Sequence, residues 1–102
     1  MADHSFVVLA YGESPFLAGC LASLAAQSPP SRILVSTSTP SPHVARAAKA
    51  VDAELRINPE RAGIASDWNF GLTQVETPFV TLAHQDDVYF PAFAERTMAL
   101  FA

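Results

Sequence analysis

The sequence predicts an α/β unit: a mostly parallel sheet of about four strands with helices on both faces. Three observations carry this. Short apolar runs alternate with longer stretches of helical periodicity, four of each. Pro, Gly or clustered Ser and Thr punctuate the switches between them. Half of the 102 residues are apolar, enough to build the core of one small unit. Strand–helix alternation of this kind implies parallel strands joined by helical crossovers.

The first strand is Phe6 to Ala10. Tyr11-Gly12-Glu13-Ser14-Pro15 then forms a turn, with Ser14 placed to cap a helix and Pro15 to open it. Phe16, Leu17, Cys20, Leu21 and Leu24 recur on one helical face, and Ser28-Pro29-Pro30 ends the run. The second strand is Ile33-Leu34-Val35, running on towards Ser36 and Thr37. A polar turn, Ser38 to Pro42, opens a helix whose stripe is Val44, Ala45, Ala48 and Val51. Glu54 to Ile57 is a short third strand whose alternation suits a sheet edge. The third helix covers about Ile64 to Gln74, with Ile64, Trp68, Leu72 and Val75 as its apolar face. That face assigns Trp68 to core packing and leaves Asp67 and Asn69 on the solvent or rim side. Phe79 to Ala83 is the fourth strand, His84 to Phe90 a loop, and Pro91 begins a helix carrying Phe93, Met98 and Phe101.

Composition excludes several functions. Six basic residues against ten acidic ones give a net charge of −4 without a basic stripe, so nucleic acid is not an expected partner. The single Cys20 allows neither an internal disulfide nor a cysteine-cluster metal site. It suits a buried small hydrophobe and a reducing, cytoplasmic compartment. The start lacks a secretory pattern, and no apolar run is long enough to span a bilayer. A membrane-associated parent protein stays open. No Gly-x-x-x-x-Gly-Lys-Ser/Thr loop or Gly-x-Ser-x-Gly elbow is present, which argues against a nucleotide triphosphatase and a serine hydrolase.

Ligands of open parallel sheets bind beyond the carboxyl ends of the strands. Four segments share that rim: Tyr11 to Glu13, Thr37 to Thr39, Asn58 to Gly63, and His84 to Asp87. Asp86 and Asp87, with the His84 imidazole nearby, offer ligands for Mg²⁺ or Mn²⁺. A cation there would draw in a diphosphate that two bare carboxylates would repel. The structural alternative has Asp86 or Asp87 capping the turn before Pro91, with His84 a hydrogen-bonded structural residue. Tyr11 can stack on a nucleobase or be an ordinary partly buried aromatic. Arg61 can reach a phosphate or stay solvated.

The chain resembles the N-terminal half of a family 2 glycosyltransferase of the GT-A, Rossmann-like fold. Phe6 to Glu13 is similar to the opening strand and its turn. Phe16 to Ser28 carries the Cys-Leu-x-Ser-Leu-x-x-Gln core of the first helix. Asn58 with Gly63, and Asn69-x-Gly71, match the spacing of the third helix region. Phe79 to Asp87 resembles the strand and Asp-x-Asp-type motif, and Phe90-Pro91 the aromatic-Pro after it. The resemblance implies an enzyme that binds a nucleoside-diphosphate sugar with Mn²⁺ or Mg²⁺ and passes the sugar to an acceptor hydroxyl. It implies Asp86 as metal ligand, with His84 and Asp87 beside it. It implies Tyr11, Glu13, Thr37, Ser38, Asn69 and Asp86 as nucleotide contacts. Thr37 and Ser38 stand where the family has an acidic pair, and His84 where it has its first Asp. A non-catalytic nucleotide-binding module of the same fold is the alternative.

The family's general base and acceptor site come from a later segment. Residues 1–102 are therefore expected to be a fragment, inactive alone, with its base beyond residue 102. An uncovered apolar fourth strand predicts a homodimer or higher assembly through that edge.

Overall fold

The computed structural model describes residues 2–60 and 63–101. Eight elements alternate along the chain: β1 (His4–Leu9), α1 (Leu17–Ala25), β2 (Arg32–Thr37), α2 (Pro42–Ala50), β3 (Glu54–Ile57), α3 (Ile64–Gln74), β4 (Phe79–His84) and α4 (Phe93–Ala99). The four strands form one parallel sheet in the order β3-β2-β1-β4. Both edge expectations hold: β3 and β4 are its outer strands.

β1 is buried along its whole length, as befits a strand paired on both sides and covered on both faces. Phe6, Val8 and Ala10 join Ile33, Val35 and Ala83 on one face. Leu17, Cys20, Leu21 and Leu24 of α1, Val44 and Ala48 of α2, and Ala94 of α4 complete that core. The other face belongs to α3. His4, the first residue of β1, is buried and hydrogen-bonded to Ser31 Oγ (2.8 Å) and Thr81 Oγ1 (2.7 Å). Burial pushes its pKa down, since a charged imidazole would lose its hydration there.

Two expectations give way to the structure. Ser14 does not cap α1, which starts at Leu17 without a side-chain cap. Its hydroxyl instead accepts from Phe16 N–H (3.2 Å) in a local turn. Ser41 is the residue that caps a helix, accepting from Val44 N–H (3.2 Å) ahead of Pro42. The largest departure concerns α3. Ile64 is 64% exposed and Leu72 42%, while the buried positions are Asp67 and Gly71. The helix therefore lies on the sheet by its small and polar side.

Gly71 explains that choice. A Cβ at position 71 would sit 2.8 Å from Val7 Cγ1 and 3.2 Å from Ser36 Cβ. Val7 is fully buried and stiff at χ1, so it cannot yield cheaply. Only glycine lets the backbone of α3 come this close to β1 and β2. Gly71→Val is expected to cost at least about 2 kcal/mol by overpacking. Gly19 sits in α1 with open space around it, so Gly19→Ala should gain about 0.5–1 kcal/mol from helix propensity. Urea midpoints of the two variants should move in opposite directions.

Candidate functional site at the switch between β1 and β4

The chain runs outwards from β1 through β2 to β3, then returns to place β4 on the other side of β1. That reversal opens a crevice beyond the carboxyl ends of β1 and β4. A cleft of about 300 Å³ occupies it. Leu9 and Tyr11 line it from the end of β1 and the loop after it, Ile64 and Trp68 from α3, and His84, Gln85 and Asp86 from the end of β4 and the turn after it. Tyr11 is 62% exposed, a ring free to meet a ligand. The Trp68 ring meets the His84 ring edge-on at 5.9 Å. Trp68, read from periodicity as core, is a half-buried wall of the cleft.

Hydrogen bonds tie the two sides of the cleft together. Tyr11 N–H donates to Gln85 Oε1 (3.2 Å), and Gln85 Nε2 donates back to Tyr11 O (3.3 Å). The side-chain amide thus extends the β1–β4 ladder past its last pair, Leu9 with His84. Ser14 Oγ donates to Asp86 Oδ1 (3.2 Å). The Cys-Leu-x-Ser-Leu-x-x-Gln stretch of α1 grips the same segment from below. Cys20 Sγ donates to His84 O (3.3 Å), and Ser23 Oγ accepts from Tyr89 N–H (3.0 Å). Gln27 donates to Phe90 O (2.8 Å) and accepts from Ala94 N–H (2.9 Å). Cys20 and Ser23 lie three residues apart on one stripe of α1, and Gln27, just past its end, continues the line, so together they hold the segment from His84 to Ala94. Burial, with Asp87 and Asp86 nearby, pushes the Cys20 thiol up to about 11. It is therefore a packing and hydrogen-bonding group, not a nucleophile, near neutral pH.

A second polar cluster lies behind the rim of β2. Asp67 is 1% exposed. Its carboxyl accepts from Ser38 Oγ (2.9 Å) and Asn58 Nδ2 (2.9 Å). Ser36 Oγ also donates to Asp67 O (3.2 Å). Asn58 N–H in turn donates to Thr37 O (2.7 Å), and Asn58 Oδ1 accepts from Glu60 N–H (3.1 Å). One acid from α3 thereby joins the ends of β2 and β3. Among the described residues, no buried side-chain nitrogen or oxygen is left without a partner.

The candidate residues separate into groups. Tyr11, His84 and Asp86 come together in the cleft. Glu13 is exposed on the same loop but does not line it. Asp87 is exposed; its N–H closes a turn onto His84 O (3.1 Å). Thr37 and Ser38 are buried, the hydroxyl of Thr37 accepting from Thr39 N–H (3.0 Å). Asn69 faces a different hollow of about 580 Å³, between the Asn58–Glu60 loop and the outer side of α3. Arg61 lies outside the described residues. A third hollow, of about 200 Å³, sits at the amino ends of the strands, away from the rim. Its charges already pair, Glu54 with Arg32 (2.8 Å) and Arg56 (3.2 Å).

His84, Asp86 and Asp87 do not converge: no group of three or more His, Cys, Asp or Glu among the described residues could hold a metal ion unaided. One carboxylate at an open cleft still fits Mg²⁺ or Mn²⁺, which complete their shells with substrate phosphates and water. Trp68 and Gln85 were missed from sequence. The signal for Gln85 was its place inside the rim segment; the signal for Trp68 was Gly71, which centres the packed strip of α3 on Asp67 and Gly71 and leaves Trp68 at its margin.

Comparison with known proteins agrees with this architecture. Two crystal structures of S. aureus TarS match it, each at 19% identity and over 99% of this chain. One has a TM-score of 0.81, the other, of residues 1–349, a TM-score of 0.83. This chain spans only 19% and 32% of them, respectively. At that identity the likeness speaks for the fold, which is of the α/β GT-A type. No curated protein sequence gives a significant match. No helix among the described residues is long and apolar enough to cross a membrane. The profile of Glycosyl transferase family 2 matches residues 5–102, nearly the whole length, and the chain belongs to that family.

Proposed function

We propose that the cleft between β1 and β4 binds the donor of a glycosyl transfer, a nucleoside-diphosphate sugar, with Asp86 reaching its diphosphate through Mg²⁺ or Mn²⁺. The observation that carries this is the meeting of Tyr11 and Asp86 at the topological switch point. Tyr11 offers an exposed aromatic face for a base. Asp86 offers an oxygen ligand at the other end. A bound cation would neutralise the diphosphate as it leaves. Asp87 and His84 stand beside Asp86 as accessory donors to that cation or its waters. Asn69, with Thr37 and Ser38, belongs to the nucleoside side of the proposal. The last two would act through Asp67 and the backbone around it, since their hydroxyls are engaged internally.

The acceptor site and general base belong to the whole protein, and transfer to an acceptor hydroxyl is proposed for it. Residues 1–102 alone are expected to bind the nucleotide weakly and to transfer nothing. The lone buried thiol suits a reducing, cytoplasmic setting. The lack of a converged three-ligand set among the described residues favours one second reading, a nucleotide-binding module that needs no metal. Calorimetric titration with UDP, GDP and CDP, with and without Mn²⁺, separates the two. Binding that strengthens with Mn²⁺ supports the donor site; binding indifferent to Mn²⁺ supports the module.

The outer side of β4 supports a further proposal, self-association. Among the described residues β4 pairs only with β1, and Leu82 is 42% exposed on it. Unpaired, apolar edges recruit other strands. Residues 1–102 are expected to sediment as a dimer or larger species at high concentration. Leu82→Lys should shift them towards monomer. A monomer at all concentrations would refute the idea.

A further inference from the structure

We infer that Ser14 is the positioning residue of Asp86, setting which carboxylate oxygen is presented to a cation; this rests on the donor-site reading above. Ser14 Oγ accepts from Phe16 N–H (3.2 Å) and donates to Asp86 Oδ1 (3.2 Å). The first bond orients the hydroxyl, so its proton is directed at Asp86. Pro15 follows, and a residue before proline is held out of the helical region. That restriction keeps Ser14 out of α1 and its side chain at the rim.

The loop carrying Ser14 is itself pinned. His43 Nε2 donates to Ser14 O (2.8 Å), and Gly12 N–H donates to Thr39 Oγ1 (2.9 Å). Gln85 holds Tyr11 through both backbone groups. Gly12 makes the bend possible with φ of 64°. Ser14 is therefore a fixed post, not a mobile side chain that happens to touch Asp86.

Asp86 is exposed and would otherwise sample several rotamers. With Oδ1 held by Ser14, Oδ2 is the oxygen without a hydrogen bond among the described residues. Ligation by a single carboxylate oxygen suits Mg²⁺ and Mn²⁺, whose shells are small and strictly octahedral in the case of Mg²⁺. Groups that orient a metal ligand usually affect metal affinity about 10- to 100-fold when removed. Because this bond is exposed, the lower end applies.

The test uses the full chain and the tightest binder among UDP, GDP and CDP, titrated with and without Mn²⁺. Ser14→Ala is expected to weaken the Mn²⁺-dependent binding about tenfold, while leaving metal-free binding unchanged. Ser14→Thr keeps the hydroxyl and should stay close to native. Thermal melts of each variant confirm that the fold is retained. If Ser14→Ala binds as native does while Asp86→Ala has lost the Mn²⁺ increment, the inference fails and the donor site stands. Equal loss in Ser14→Thr and Ser14→Ala would also overturn the hydroxyl's role. If Asp86→Ala keeps the Mn²⁺ increment, the donor-site reading and this inference fall together.

Discussion

Asp67→Ala is expected to destabilise the chain by about 2–5 kcal/mol, a large share of the roughly 5–15 kcal/mol available to a domain of this kind. The carboxyl is buried, with Ser38 and Asn58 both donating to it. Removing it takes the acceptor from the buried Ser38 hydroxyl and leaves Asn58 Nδ2 with only its longer bond to Ser66 Oγ (3.3 Å), each lost partner costing about 1–3 kcal/mol. Asp67→Asn keeps the shape but swaps one acceptor for a donor. The Ser38 hydroxyl can rotate to accept from an amide, whereas the Asn58 amide nitrogen cannot. The asparagine variant should therefore lose less than the alanine one. Urea denaturation measures both. A loss under about 0.5 kcal/mol for Asp67→Ala, the range of an ordinary surface change, would show that the network does not hold the rim together. The same variant should slacken the Asn58–Glu60 loop, read as faster amide exchange at Asn58 and Glu60, whose N–H groups the network holds.

Asp86→Ala carries the largest expected effect on binding. The Mn²⁺-dependent part of nucleoside-diphosphate binding should fall on the order of 100-fold, leaving whatever the base and ribose contribute alone. Its stability should hardly change, because Asp86 is exposed and its hydrogen bond to Ser14 is at the surface. Asp87→Ala should lose less, since Asp87 does not line the cleft. The ordering of the two variants is the decisive readout. A greater loss for Asp87→Ala than for Asp86→Ala would move the cation to the other carboxylate and out of the cleft.

Much of the fold was legible because its signals are local. β3 and α3 have the limits expected from periodicity and punctuation, and β1, β2 and β4 lie within two residues of theirs. Apolar runs at period two and stripes at period 3.6 are properties of consecutive residues. The α1 start was misread, and one partner of Ser14 is not local. Ser14 Oγ accepts from Phe16 N–H in a turn ahead of the helix and donates to a carboxylate 72 residues away, a partner that only the folded chain supplies. For α3, periodicity located an apolar stripe without saying which side the sheet would take. Close approach through Gly71 decided that, and it carried Asp67 inwards and Trp68 to the cleft.

By itself the sequence determined the strand–helix order, the shared rim and the place of His84 to Asp87 on it, because strand direction and chain order dictate which loops follow strand ends. The tertiary structure alone decided which rim segments meet. With β4 beside β1, Tyr11 and Asp86 line one cleft, while Thr37 and Ser38 turn inwards and Asn69 faces another hollow. The reason is that pairing across a sheet joins residues more than 70 positions apart, as Gln85 with Tyr11 shows, and no pattern within a window of neighbours contains that information.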